Sequence, residues 1–164
     1  MVFNVSALLR NNDTELALNG TMDLAGELFY GQVLFPHPVT VLGRIENRAG
    51  SLKLYADLNT VLTTTCARCL KELEVPLSVH VESLLSENIQ NTDNEDILPI
   101  VDARVDPEAL FYDMLCLHVA SRYYCDESCL GLCATCGKNL NSGPCACDTH
   151  EVDPRLAVLK KLLD

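Results

Sequence analysis

Residues 51–82 read SLKLYADLNTVLTTTCARCLKELEVPLSVHVE, and in this stretch two runs of alternating residues meet at a pair of cysteines. Leu52, Leu54, Ala56, Leu58, Leu62 and Cys66 share one parity, while Ser51, Lys53, Asp57, Asn59, Thr63 and Thr65 take the other. Successive side chains of a strand point to opposite faces, so this pattern predicts a strand with one buried face. After Cys66-Ala67-Arg68-Cys69 the alternation resumes. Leu73, Val75, Leu77, Val79 and Val81 oppose Glu72, Glu74, Ser78, His80 and Glu82, with Pro76 marking an edge position. Ala67 and Arg68 then form the tip of a hairpin. Upstream, Val39–Ile45 predicts a third strand joined through the Ala49-Gly50 turn, and the three make an antiparallel meander.

Farther out, strand pieces are expected at Val2–Leu9 and Glu15–Leu18, with an irregular stretch around Gly31–Pro38. Ser86–Asp96 (SENIQNTDNED) is polar, acidic and poor in apolar residues, which predicts a mobile loop. Asp106-Pro107-Glu108 is a helix start, with Asp106 as N-cap and Pro107 at the first helical position, and the helix is expected to run to about Arg122. Glu108, Tyr112, His118 and Arg122 fall within an arc of roughly 120°, so most of its circumference should pack against the sheet. Asp153-Pro154 repeats the start signal before Leu156, Leu159, Leu162 and Leu163, predicting a short closing helix. The expected fold is α+β: an antiparallel sheet meander, a packed helix, a cysteine-rich knuckle and a closing helix. Its expected division is a β-rich body over residues 1–122 and a metal-binding module over 123–164.

The cysteines carry the chemistry. Six of the nine lie in CDESCLGLCATCGKNLNSGPCAC, residues 125–147. Two thiolates separated by two residues can grip one ion from a single turn, and zinc takes four such ligands in a tetrahedron. Cys133, Cys136, Cys145 and Cys147 supply one set from a short loop, and Cys66, Cys69, Cys125 and Cys129 supply a second. The ninth, Cys116, sits in the helical stretch, where a small buried hydrophobe is the usual role. Two structural zinc ions are the expectation, with a thiol redox or iron-binding protein as the competing reading. A disulfide framework needs export, but Met1–Arg10 lacks a basic start followed by an apolar run. No segment approaches the roughly 18 apolar residues of a membrane span. The expected location is cytoplasmic.

Twelve basic residues face 23 acidic ones, for a net charge of −11. Such a chain is repelled by bare phosphate backbone; its acidity either keeps it soluble or points toward a basic protein partner. Arg44, Arg48 and Lys53 flank one turn and Arg68 lies between two ligands, making these the candidate contacts to RNA or a partner. No Walker loop, GxGxxG, HExxH or GxSxG is present, and His37, His80, His118 and His150 are scattered. Neither catalysis nor a small-molecule substrate is expected.

Together, Cys66-Ala-Arg-Cys-Leu70, the strand with Pro76-Leu77, Gly131-Leu-Cys-Ala-Thr-Cys-Gly137, Asn139-Leu-Asn141, Cys145-Ala-Cys147 and Asp153-Pro-Arg-Leu156 carry a resemblance over nearly the whole chain. The sequence resembles the YceD family, the large ribosomal RNA subunit accumulation proteins of bacteria and plastids. That resemblance implies a non-enzymatic role in synthesis, processing or accumulation of 23S ribosomal RNA and in large-subunit assembly. The partner it implies is large-subunit ribosomal RNA, reached directly or through a basic ribosomal protein. A zinc-stabilised protein interaction module with no RNA role is the alternative.

Overall fold

The structure, a computed structural model, describes residues 1–10, 13–29, 31–87 and 97–147. A five-stranded sheet dominates, in the order β2-β3-β4-β5-β6, built from β2 (Glu15–Met22), β3 (Val39–Arg48), β4 (Ser51–Thr65), β5 (Glu72–Ser86) and β6 (Ile97–Pro99). β2 pairs antiparallel with β3, and β3 with β4, in a register that sets Val41 beside Leu58 and Ile45 beside Leu54. Only six residues separate β4 from β5, too few for a parallel crossover. Side-chain pairs between them run in opposite senses, Lys53 to Glu82, Asp57 to His80 and Asn59 to Ser78, as an antiparallel pair requires.

The alternation is realised along both long strands. In β4 the even-numbered residues from Leu52 to Leu62 are buried and their neighbours face outward, and Val79, Val81 and Leu85 of β5 join the same core layer. β6 departs from the expected meander. It runs parallel to β5, with Leu84 beside Ile97 and Ser86 beside Pro99, so the sheet is mixed at one edge. That pairing covers only the end of β5, so among the described residues no strand flanks Pro76 on that side, which suits a residue with no N–H to donate. Residues 88–96 of the expected acidic loop lie outside the described residues.

Ala49 and Gly50 both have positive φ, +53° and +87°, and connect Arg48 to its partner Ser51. This two-residue turn has the twist that suits a hairpin. Gly43 answers a different need: a Cβ built there would stand 2.1 Å from the Tyr55 carbonyl oxygen, so the close approach of β3 to β4 excludes any side chain. Beyond the last β3 partner, the irregular stretch takes over the edge of β4. Leu34 and Phe35 are buried, and the Leu34 carbonyl accepts the Thr63 N–H at 2.9 Å.

The N-terminal stretch differs from expectation. Only Phe3–Asn4 is extended (β1), followed by a single helical turn, α1 (Ser6–Leu9), and β1 pairs with β7 (Arg104–Val105). Ala7, Leu8 and Leu9 are good helix formers, and the Asn4 side chain accepts the Ser6 N–H at 2.9 Å, turning the chain after two residues. The predicted strand from Glu15 to Leu18 exists and extends to Met22.

α2 spans Glu108–His118 and packs on β5, while α1 packs on β3. The helix ends four residues before Arg122, because Val119 is extended and the His118 ring lies 2.7 Å from the Met114 carbonyl oxygen in the last turn. Pro107 takes the cap position expected of Asp106, whose side chain accepts the Glu108 N–H at 3.2 Å. Its buried stripe is also narrower than expected. Phe111 and Leu115, one turn apart, are the buried residues, while Leu117 is 78% exposed.

The chain separates into two compact units, Met1–Thr64 with Glu72–Ser121, and Thr65–Lys71 with the chain from Arg122 onward. The hairpin tip therefore belongs to the second unit although it lies within residues 1–122. The expected closing helix after Asp153 lies outside the described residues. Among the described residues, no helix is long and apolar enough to cross a membrane.

Candidate metal centre

The tip between β4 and β5 is a tight turn in which the Cys66 N–H donates to the Lys71 carbonyl at 2.8 Å and the Leu70 N–H to the Cys66 carbonyl at 2.9 Å. Closing it this way forces Leu70 to φ +59°, an uncommon conformation for a branched side chain. The turn also aims the Arg68 N–H at the Cys66 sulfur, 3.4 Å away. Ala67 donates to the Tyr123 carbonyl at 2.8 Å, aligning the tip with the segment that carries Cys125 and Cys129. Asp126 shapes that segment by accepting the Ser128 N–H at 2.8 Å.

The result is a convergence of Cys66, Cys69, Cys125 and Cys129, whose sulfurs all lie within 4.8 Å of one another. Cys69 and Cys125 are 3.5 Å apart and Cys66 and Cys129 3.9 Å. A disulfide needs about 2.05 Å. Four sulfurs at about 2.3 Å from a central ion would be separated by about 3.8 Å, so the spacing fits a tetrahedral ion. Cys66, Cys69 and Cys129 are buried.

The second set uses the same turn again. In Cys133-Ala-Thr-Cys136-Gly137-Lys138, Cys133 donates to the Lys138 carbonyl at 2.8 Å and Gly137 to the Cys133 carbonyl at 2.9 Å, with Gly137 at φ +71°. A short 3-10 turn, Leu140–Ser142, returns the chain to Cys145 and Cys147, and the Lys138 ammonium donates to the Pro144 carbonyl at 2.8 Å across the loop. These four sulfurs also lie within 4.8 Å of one another. Cys133 is buried, Cys145 and Cys147 are half-buried and Cys136 is exposed.

The electrostatics of each set suit a cation. Burial pushes the Cys66 thiol up, but the N–H groups of Cys125, Cys69 and Arg68 together hold it at about 6. The N–H groups of Cys136 and Thr135 likewise lower Cys133 to about 6. The neighbouring Cys129 and Cys69 thiols, with burial, push Cys125 up to about 12, and the Cys136 thiol does the same to Cys147. One thiol in each set therefore ionises readily while another keeps its proton until positive charge arrives, which a divalent ion supplies. Hydrogen bonding from the Asn141 amide is the main influence lowering Cys129. Four protein thiolates would close the coordination sphere, leaving no position for substrate or water.

The basic candidates fall into two groups. Arg44, Arg48 and Lys53 gather on the outward face of β3 and β4, with Arg44 and Lys53 placed 5.1 and 4.8 Å from the centre of the Tyr55 ring. All three are paired with carboxylates: Glu46 takes Arg44 and Arg48, and Glu82 takes Lys53. Arg68 belongs to the second unit and serves it internally. Its Nη1 donates to the carbonyls of Glu127 and Cys129, both at 2.9 Å, and its guanidinium lies 4.7 Å from the centre of the Tyr124 ring. Cys116 is half-buried on α2, and burial holds its thiol above the usual value.

Sequence reasoning passed over Tyr124 and Asp126 and gave Asn141 no role beyond its motif, although all three shape or support the first set. An Asx turn at Asp126-Glu127-Ser128 was the available signal for one of them. An open cavity of about 450 Å³ also lies in the first unit, lined by Met22, Leu24, Ala109 and Tyr112 together with Glu27, Asp106 and Glu108. Among the described residues, no cysteine or histidine lines it.

Comparison with known proteins places this architecture. The family model described as large ribosomal RNA subunit accumulation protein YceD matches residues 54–163, about two thirds of the chain. The chain is 27% identical to the chloroplastic large ribosomal RNA subunit accumulation protein YCED homolog 1 of Zea mays, covering 70% of this chain and 50% of that protein. It is 25% identical to the protein of the same name from Arabidopsis thaliana, covering 71% and 46%. An uncharacterized protein of Mycobacterium tuberculosis is 32% identical, covering 73% and 59%. The chain thus spans about half the length of the curated relatives it matches. No solved structure matches it. With a family match running from near the start of β4 through both cysteine clusters, the chain belongs to the YceD family.

Proposed function

We propose that this protein is a non-enzymatic, cytoplasmic factor that supports accumulation of 23S ribosomal RNA and assembly of the large ribosomal subunit, with a metal knuckle held by two structural zinc ions. The observation that carries the ribosomal role is the family match over residues 54–163. Support for zinc comes from two sets of four sulfurs gathered within 4.8 Å, thiolate ligands being the soft donors that zinc prefers.

Contact with the RNA runs through a basic ribosomal protein in this reading. A net charge of −11 disfavours bare phosphate, and the pairing of Arg44, Arg48 and Lys53 with Glu46 and Glu82 leaves little uncompensated positive charge around Tyr55. The same charge favours, as a second reading, a module that binds proteins and has no ribosomal role. Depletion followed by gradient sedimentation separates the two. Loss of mature 23S RNA and of large subunits relative to small ones is the expected result, and normal subunit ratios would leave the protein-only module. Elemental analysis of the reduced native protein should find about two zinc ions per chain; bound iron, or thiols without metal, would overturn the zinc assignment.

A further inference from the structure

Asn139-Leu140-Asn141 lies between Cys136 and Cys145 of the local cluster, yet one of its side chains serves the other cluster. The Asn141 Nδ2 donates to the Cys129 sulfur at 3.3 Å, and its Oδ1 accepts the Leu130 N–H at 2.8 Å. Asn139 fixes this orientation by accepting from the Asn141 backbone N–H at 3.0 Å and from its Nδ2 at 2.9 Å. The backbone of the loop is held in turn by Leu140 donating to the Gly131 carbonyl at 2.9 Å and by a bridge between Leu132 and Asn139. Gly131 is confined at φ +77°, where a Cβ would meet the Arg68 carbonyl oxygen at 3.0 Å. One amide therefore joins the loop closed by Cys133, Cys136, Cys145 and Cys147 to a sulfur of the set completed by the hairpin tip.

The two sets differ in what must be ordered to form them. The local four come from residues 133–147, whereas Cys66 and Cys129 are separated by 63 positions in the chain. Loop-closure entropy grows with the length closed, so the local set costs less to assemble in a chain without metal. The loop around it has few apolar residues with which to order itself, and Leu130 is 68% exposed. Exposed Cys136 gives an incoming ion a first thiol to meet.

We propose that the two clusters load metal in order, the local cluster of Cys133, Cys136, Cys145 and Cys147 first, and that Asn141 transmits that loading to Cys129 of the other cluster. The coupling rests on the reading that both clusters hold metal. Once the local ion closes the loop, Asn141 is held where its N–H stabilises the Cys129 thiolate. Until then, the Cys129 sulfur lacks the Asn141 N–H among its partners. Hydrogen-bond partners beyond the ligands typically change metal affinity by about 10- to 100-fold. That is the size of the coupling expected between the clusters.

Metal-free protein, kept reduced, is titrated with cadmium and followed by cadmium NMR, with competition against a chelator giving the affinity of each cluster. Cys136→Ser combined with Cys145→Ser assigns the resonances and removes the local site. The local resonance should fill first, and removing that site should weaken the remaining one by about 10-fold or more. Asn141→Ala should weaken the Cys129 cluster by a similar factor and leave the local one unchanged. Asn141→Asp keeps an acceptor for the Leu130 N–H but loses the donor to sulfur, so it should behave like Asn141→Ala. Simultaneous filling, an unchanged Cys129 cluster after loss of the local site, or weakening of both clusters by Asn141→Ala but neither by Asn141→Asp would overturn the proposal. Failure of the native protein to bind metal at all would defeat the metal reading itself, an outcome distinct from two clusters that bind independently.

Discussion

Leu70 and Gly137 occupy one and the same position in two copies of a single turn. Each follows the second cysteine of a Cys-x-x-Cys pair and donates its N–H to the carbonyl of the first, at 2.9 Å, with φ at +59° and +71°. In each copy the next residue is a lysine whose carbonyl accepts the N–H of the first cysteine, at 2.8 Å. The turn points backbone N–H groups at the leading sulfur: those of Cys136 and Thr135 lower Cys133, and those of Cys69 and Arg68 add to the Cys125 N–H in lowering Cys66. Glycine suits this position; leucine bears strain there.

Exchanging residues at this position tests that account. Leu70 is 63% exposed and contributes little burial, so Leu70→Gly should be neutral or stabilising by up to about 1 kcal/mol, the relief of left-handed strain offset in part by glycine's entropy. Gly137→Ala should cost about 1 kcal/mol. Thermal denaturation of the metal-loaded protein measures both, and equal losses from the two substitutions would show that the turns are not equivalent.

Arg68 offers a second test. Arg68→Ala removes two hydrogen bonds to carbonyls and a stacked guanidinium, and should loosen Glu127 to Cys129 by about 2 kcal/mol. Hydrogen exchange should rise in the segment from Cys125 to Leu132 and stay unchanged in β2 and β3. Arg68→Lys should rescue little, because an ammonium cannot reproduce the planar fork. Full protection in Arg68→Ala would mean that the side chain is dispensable to the knuckle.

Gly43 governs the sheet in the same measurable way. Gly43→Ala sets a Cβ against the Tyr55 carbonyl oxygen, and backbone cannot yield as a flexible side chain can. Unfolding in urea should show a loss of about 2 kcal/mol, within the usual range for overpacking. A loss below about 0.5 kcal/mol would show that the two strands separate at little cost.

His80 makes stability depend on pH. Its ring lies 2.8 Å from Asp57 and 3.4 Å from Glu82, and the hydrogen bond to Asp57 is the main influence raising its pKa above 6.5. A group whose folded pKa is raised stabilises fully below its unfolded value, near 6.5, and loses that contribution as pH rises through the folded value. The difference in stability between the native protein and His80→Asn should therefore be largest in mild acid and shrink above neutrality. Salt should diminish it, since the site is exposed. A difference that stays flat across this range would rule the pairing out.

The period-2 pattern made β3, β4 and β5 legible because each strand has one dry face, and Leu54, Leu58 and Val79 have nowhere else to go. Val2–Leu9 misled for the opposite reason: its apolar residues fit either period, and a turn at Asn4 and Ser6 together with packing on β3 decided for a helix. The end of α2 was similarly hidden. Nothing in Val119-Ala120-Ser121 is a strong breaker, and the extended conformation of Val119 stops the helix. At the site, spacing made the pairs legible, Cys66 with Cys69 and Cys133 with Cys136, while the meeting of Cys66 and Cys69 with Cys125 and Cys129 is a contact between segments far apart in the chain.

By itself, then, the sequence determined the long strands, the Cys-x-x-Cys pairs and the family, because alternation and cysteine spacing are local properties that the backbone converts directly into position. Tertiary structure alone decided that β6 runs parallel to β5, that Arg68 turns inward to Glu127, Cys129 and Tyr124, and that Asn141 reaches from one cluster to a sulfur of the other. These depend on which unpaired donors and acceptors meet once distant segments are brought together, and no period along the chain records that.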